Sequence, residues 1–126
     1  MSKATKRTIE GRRFAAEVAR IAHDAHAEDV VVLDLRDLTA IADFFVICTG
    51  TSDRQMRAII DHIDEFAEEH GQKRFGLAGY ENAQWILADY VDVVVHVFDA
   101  EHRLFYDLEL LWGDAPRIEW DEREND

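Results

Sequence analysis

Cysteine occurs once in this chain, at position 48, and proline once, at position 116. Nowhere do apolar residues run to the roughly 18 in succession that a membrane span takes. A lone Cys48 in an apolar stretch has no partner for a disulfide or a CxxC site, which suits a reducing compartment. The start of the chain carries no apolar run of the secretory kind, so the expectation is a soluble, cytoplasmic protein with no membrane partner. Basic residues are scarce too: 14 against 27 acidic ones give a net charge of -13. That balance argues against binding DNA or RNA through phosphate neutralisation and fits a basic protein partner better.

Several chemical signatures are also missing. Neither GxxxxGK[ST] nor GxGxxG occurs, so "CTGTSDRQ" is at most a weak phosphate turn, and a tight turn leading to an N-cap serine explains it as well. A nucleotidyltransferase would need closely spaced carboxylates for metal ions, yet no Asp-x-Asp occurs downstream of Ser52. His23 and His26 lie three apart with Asp24 and Asp29 nearby, but no fourth metal ligand suggests itself, and a solvated helix end accounts for "HDAHAED". No cofactor, metal or catalytic residue is expected.

What is present fits one domain. The chain has 126 residues, 48% hydrophobic and 33% charged, enough for one continuous core and too few for two. Phe14, Val18, Ile21, Ala22 and Ala25 recur at helical spacing over about 8–27. "DVVVLDL" and "DFFVICTG" read as strands, and the seven residues between them are too few for a helical crossover, which predicts antiparallel neighbours. Ser52 and Gln55 form a capping box ahead of an apolar stripe of Met56, Ile59, Ile60, Ile63 and Phe66, which predicts a second helix ending before Gly71. "KRFGLAGYENAQ" reads as a loop with a short strand, and Ala100–Trp112 as a helix with Leu104, Leu108 and Leu111 inward. Its Phe105, Tyr106 and Trp112 exceed what one buried face requires.

"QWILADYVDVVVHVF" between them reads as a hairpin with unlike faces. With the turn at Tyr90-Val91, Trp85 falls opposite His96, Leu87 opposite Val94, and Asp89 opposite Asp92. One face holds Ile86, Ala88, Val93, Val95 and Val97, as a helix-covered sheet face should. The other holds Trp85, Leu87, Asp89, His96 and Phe98. Either a further helix covers it, or its aromatics ringed by charge make a partner surface. No serine or cysteine stands beside His96 to make a nucleophilic pair.

"ADFFVICTGTSDRQMRAIID", "WILADYVDVVVHVF" and "RLFYDLELLW", in that order and spacing, resemble the ribosomal silencing factor (Iojap-like) family over about Asp29 to Gly113. The resemblance implies a single α/β domain, a mixed β-sheet with helices packed on it, of nucleotidyltransferase-like topology but not known for that chemistry. It also implies a translation repressor that binds the large ribosomal subunit through its basic protein numbered fourteen and sterically blocks joining of the small subunit. The family's contact tryptophan corresponds to Trp85 and its contact tyrosine to Tyr106; Leu87, Asp89, His96 and Phe98 join them by the face argument. A diverged nucleotide-binding enzyme is the alternative. The domain is expected over 8–113, between a basic arm at 1–7 and an acidic tail at 114–126. A weak RNA contact by the arm and a homodimer are left open. Where the family commonly has Asp-Tyr-Gly-Asp at the hairpin turn, this chain has Val91; a β-branched residue resists positive φ, so a wider turn is expected.

Overall fold

The computed structural model describes residues 10–121. Its elements are α1 (Gly11–Asp24), β1 (Glu28–Asp34), β2 (Phe44–Thr49), α2 (Asp53–Glu69), β3 (Gly76–Ala78), β4 (Trp85–Asp89), β5 (Val93–Phe98), α3 (Ala100–Tyr106) and α4 (Leu108–Leu111). They form one α/β domain around a five-stranded mixed sheet of order β1-β2-β5-β4-β3. The β2–β5 pair is parallel, and β1–β2, β4–β5 and β3–β4 are antiparallel.

Helices α1 and α2 cover one face. Phe14, Ala15, Val18, Ala19 and Ala22 of α1 pack with Met56, Ile59, Ile60, Ile63 and Ala67 of α2 over Val46, Cys48, Ile86, Ala88, Val95 and Val97. The alanines let the α1 backbone approach its neighbours closely. The capping box forms, with a variation: Ser52 Oγ accepts from Gln55 N at 3.1 Å, but Gln55 Oε1 reaches back to Thr51, accepting from its Oγ1 at 2.9 Å. Gln55 Nε2 also donates to Ala25 O at 3.1 Å, tying the start of α2 to the end of α1.

The hairpin departs from the expected register. Trp85 pairs with Phe98, Leu87 with His96, and Asp89 with Val94, so the turn lies one residue later, at Val91-Asp92. It is not widened. Tyr90 N donates to Val93 O at 2.9 Å, and Asp92 N donates to Tyr90 O at 3.0 Å, closing a γ-turn centred on Val91 with φ 77°. Asp89 Oδ1 accepts from Val91 N at 2.8 Å and holds the valine in a conformation it would otherwise avoid. Because the slip is two residues in the cross-strand sum, the division of residues between the two faces is unchanged.

Two segments after β5 differ from expectation. The helix expected over Ala100–Trp112 breaks at Asp107, which is left-handed (φ 47°, ψ 59°) and caps a new helix, its carboxylate accepting from Leu110 N at 3.3 Å. The break resets the helical phase: Leu108 is buried, whereas Leu104 and Leu111, expected inward, are exposed. Beyond it, Pro116 O accepts from Asp34 N at 2.8 Å, Ile118 N donates to Val32 O at 2.9 Å, and Trp120 Nε1 donates to Val30 O at 3.1 Å. Residues 116–120 thus run antiparallel along the free edge of β1, and the packed domain extends past the expected boundary at 113. The arm at 1–7 and the end of the tail fall outside the described residues.

Val91 is 56% exposed, so its side chain contributes little burial to offset its strained backbone. Val91→Gly should therefore stabilise the fold by about 1 kcal/mol, strain relief outweighing the added freedom of the unfolded glycine. Urea denaturation measures this; a variant no more stable than the parent would show the turn to be unstrained.

Candidate functional site

On the second sheet face, α3, α4 and the segment up to Ala115 cover only part of the area. Leu108 and Ala115 pack with Val31, Leu33, Phe45, Ile47, Val94 and Phe98, over β1, β2 and β5. Trp85, Leu87 and Asp89 of β4, beyond the edge of this cover, stay half-buried, and Ala78 of β3 is exposed.

The structure brings four of the expected site residues into one aromatic cluster. The Trp85 ring lies 4.9 Å from Phe98, 4.5 Å from Tyr106 and 5.9 Å from His96, centroid to centroid. Only some of the cluster reaches solvent. Tyr106 is 44% exposed, but His96 is 3% and Phe98 0% exposed, so these two lie beneath Trp85 and support it rather than meeting a partner. Leu87 flanks the cluster. Asp89 stands apart from it, at the γ-turn that its carboxylate holds.

His96 has a defined ionic form. Trp85 Nε1 donates to His96 Nδ1 at 3.1 Å, so that nitrogen is bare and the ring proton sits on Nε2, which meets no hydrogen-bond acceptor. Burial pushes the imidazole pKa down to about 3. Cys48 is likewise inert: burial pushes its thiol up to about 12, leaving it protonated at neutral pH. Ser52 is engaged in capping α2. Among the described residues no group of three or more histidines, cysteines or carboxylates is placed to hold a metal, and no helix is long and apolar enough to cross a membrane.

The sequence reading missed the larger part of the exposed apolar surface. Leu104, Phe105, Leu110 and Leu111 are 81%, 78%, 77% and 70% exposed and form a ridge across the α3–α4 elbow beside Tyr106. Exposure on that scale in so short a stretch marks an interaction site. The signal was Asp107, a poor helix-interior residue and a good N-cap, placed where a continuous helix was expected. Around the ridge, Asp99, Glu101, Asp107, Glu109 and Asp114 stand against a single arginine, Arg103.

Fold and surface together define an α/β domain that presents an apolar ridge in an acidic setting. The sequence pattern of a family described as ribosomal silencing factor during starvation matches residues 8–126, and the chain belongs to that family. It is 49% identical to the ribosomal silencing factor of Halalkalibacterium halodurans over 96 residues, 76% of this chain and 82% of that protein. The chloroplastic Iojap protein of Arabidopsis thaliana is 36% identical over 113 residues, 87% of this chain and 46% of the longer plant protein. A crystal structure of a Chromobacterium violaceum protein superposes with a TM-score of 0.80 at 30% identity, covering 90% of this chain and 93% of that one. One from Bacillus halodurans gives 0.71 at 41% identity, covering 82% and 94%.

The buried imidazole makes stability depend on pH in a definite direction. Its folded pKa is depressed from 6.5 to about 3, so the unfolded chain takes up a proton first as pH falls. The stability due to neutral His96 is complete above 6.5 and is lost progressively below it, by up to about 1.4 kcal/mol per pH unit. His96→Phe should flatten that slope. Urea denaturation of both proteins between about pH 7 and about pH 5 tests it, and equal slopes would assign the acid sensitivity to other groups.

Proposed function

We propose that this protein is a non-enzymatic translation repressor that binds the large ribosomal subunit through the basic ribosomal protein numbered fourteen and sterically blocks association of the small subunit. The observation that carries the reading is the apolar ridge of α3 and α4 beside Trp85 and Tyr106. Large exposed apolar side chains supply the desolvated centre of an interface, and the surrounding carboxylates match a basic partner while repelling bare RNA. Family membership gives the ribosome as the target. Trp85 and Tyr106 are the proposed anchors, Leu87 flanks them, and His96 and Phe98 hold Trp85 in place from below. Asp89 acts at one remove, through the hairpin turn.

Phe105→Ala and Tyr106→Ala should each weaken large-subunit binding by about 2 kcal/mol, as truncation of interface anchors does, with little change in fold stability. Ile86→Ala, wholly buried under the helices, should do the reverse and destabilise the fold by about 2–5 kcal/mol. Trp85→Ala should do some of both, since the ring is half-buried and bonded to His96. Co-sedimentation with purified large subunits, a subunit-joining assay and chemical denaturation separate these effects. Phe105 and Tyr106 variants that bind and block joining like wild type would overturn the proposal, as would stabilisation of the protein by nucleotide and Mg²⁺.

A further inference from the structure

Helices α3 and α4 have 7 and 4 residues, each too short to hold its shape alone, and a left-handed residue separates them. Their mutual angle must be set from outside. Arg103, whose side chain is only 11% exposed, reaches acceptors on both sides of the break and on the sheet. Its Nη1 donates to Asp29 O at 2.6 Å and to Thr49 Oγ1 at 2.9 Å. Its Nε and Nη2 donate to the two carboxylate oxygens of Glu109 at 3.3 and 2.6 Å. Its carbonyl oxygen accepts from the N–H of Asp107, the break itself, at 2.9 Å.

The sheet end of this clamp is also a specialised feature. Asp29 sits at φ 50° where the β1–β2 register slips between Glu28 and Val31. Bulges of this kind turn a backbone group out of the ladder, and here the carbonyl of Asp29 is the guanidinium's shortest sheet contact.

We infer that Arg103 is a positioning residue for partner docking: clamped to the β1 bulge and to Glu109, it fixes the α3–α4 elbow so that the exposed ridge meets the partner already assembled. The inference rests on the reading of that ridge as the docking surface. Arg103 is largely covered and acts through the elbow. Its planar fork matters, because a lysine offers one point charge and cannot engage both Glu109 oxygens and the bulge together. Without the clamp, the elbow samples other angles, and apparent affinity falls by the fraction of time the competent angle is lost.

Three variants test this: Arg103→Lys, Glu109→Gln and Phe105→Ala, each measured for affinity to purified large subunits and for amide hydrogen exchange. The two clamp variants should bind about tenfold more weakly, with faster exchange confined to residues 107–112, and combining them should weaken binding no further than the stronger single change. Phe105→Ala should lose affinity with wild-type exchange at 107–112. If both clamp variants bind like wild type while Phe105→Ala does not, the positioning role is wrong and the docking surface stands. Weakened clamp variants with unchanged exchange at 107–112 would overturn it too, by making Arg103 and Glu109 direct contacts. Wild-type binding by Phe105→Ala removes the docking surface and the inference with it. Should Arg103→Lys lose protection across the whole sheet, Glu109→Gln decides alone.

Discussion

The parallel pairing of β2 with β5 is the constraint on which the other parts of this fold depend. Both strands are buried along their whole length, so each must be covered on two faces. Parallel neighbours cannot be joined by a tight turn, and the crossover between them carries α2 and the β3–β4 pair. With α1 beside it, α2 closes one face. The other face is left to whatever follows β5, and the chain there provides only two short helices and a strap. Incomplete cover on that side is what leaves Trp85, Leu87 and Tyr106 within reach of solvent.

This division explains what the sequence revealed. The α1 and α2 stripes, the Ser52 cap, the antiparallel β1–β2 pair and the two hairpin faces are encoded by local periodicity, and a period of two survives any even slip in register. The hairpin register is less legible, because it depends on whether a valine can be held at φ 77°. That in turn depends on the Asp89 carboxylate two residues earlier, a side-chain bond that no hydrophobic pattern reports. The strap at 116–120 was unreadable for a related reason: it is recruited by the unpaired edge of β1, and a proline with charged neighbours resembles a tail until that edge is known.

The docking surface shows the same limit at its sharpest. A continuous helix from Ala100 would turn Leu104, Leu108 and Leu111 towards one side, and that pattern alone says they are core. One left-handed residue separates them, sending Leu108 inward while Leu104 and Leu111 stay in water. The sequence did carry a warning in its surplus of aromatics. Sorting that surplus into buried and exposed members required the position of the break, which Asp107 marks only weakly by itself. His96 and Phe98 were misplaced for the opposite reason: alternation puts them on the open face, yet Trp85 and the α3–α4 cover close over them.

An apolar ridge on a small domain is also a route to sticking to copies of itself, and the charge of the chain bears on this. Carboxylates outnumber basic groups by 27 to 14. Two like copies therefore approach against a repulsion that extends about 8 Å at physiological salt, whereas a basic partner is drawn in over the same range. Apolar contact is non-directional and would favour almost any greasy surface; the surrounding field makes it selective. The ridge supplies short-range attraction once water is displaced, and the acidic surroundings determine which surfaces come close enough for that to happen. Discrimination between a basic ribosomal protein and a second copy of this chain can thus arise from net charge and one exposed patch, with no specific repulsive contact needed.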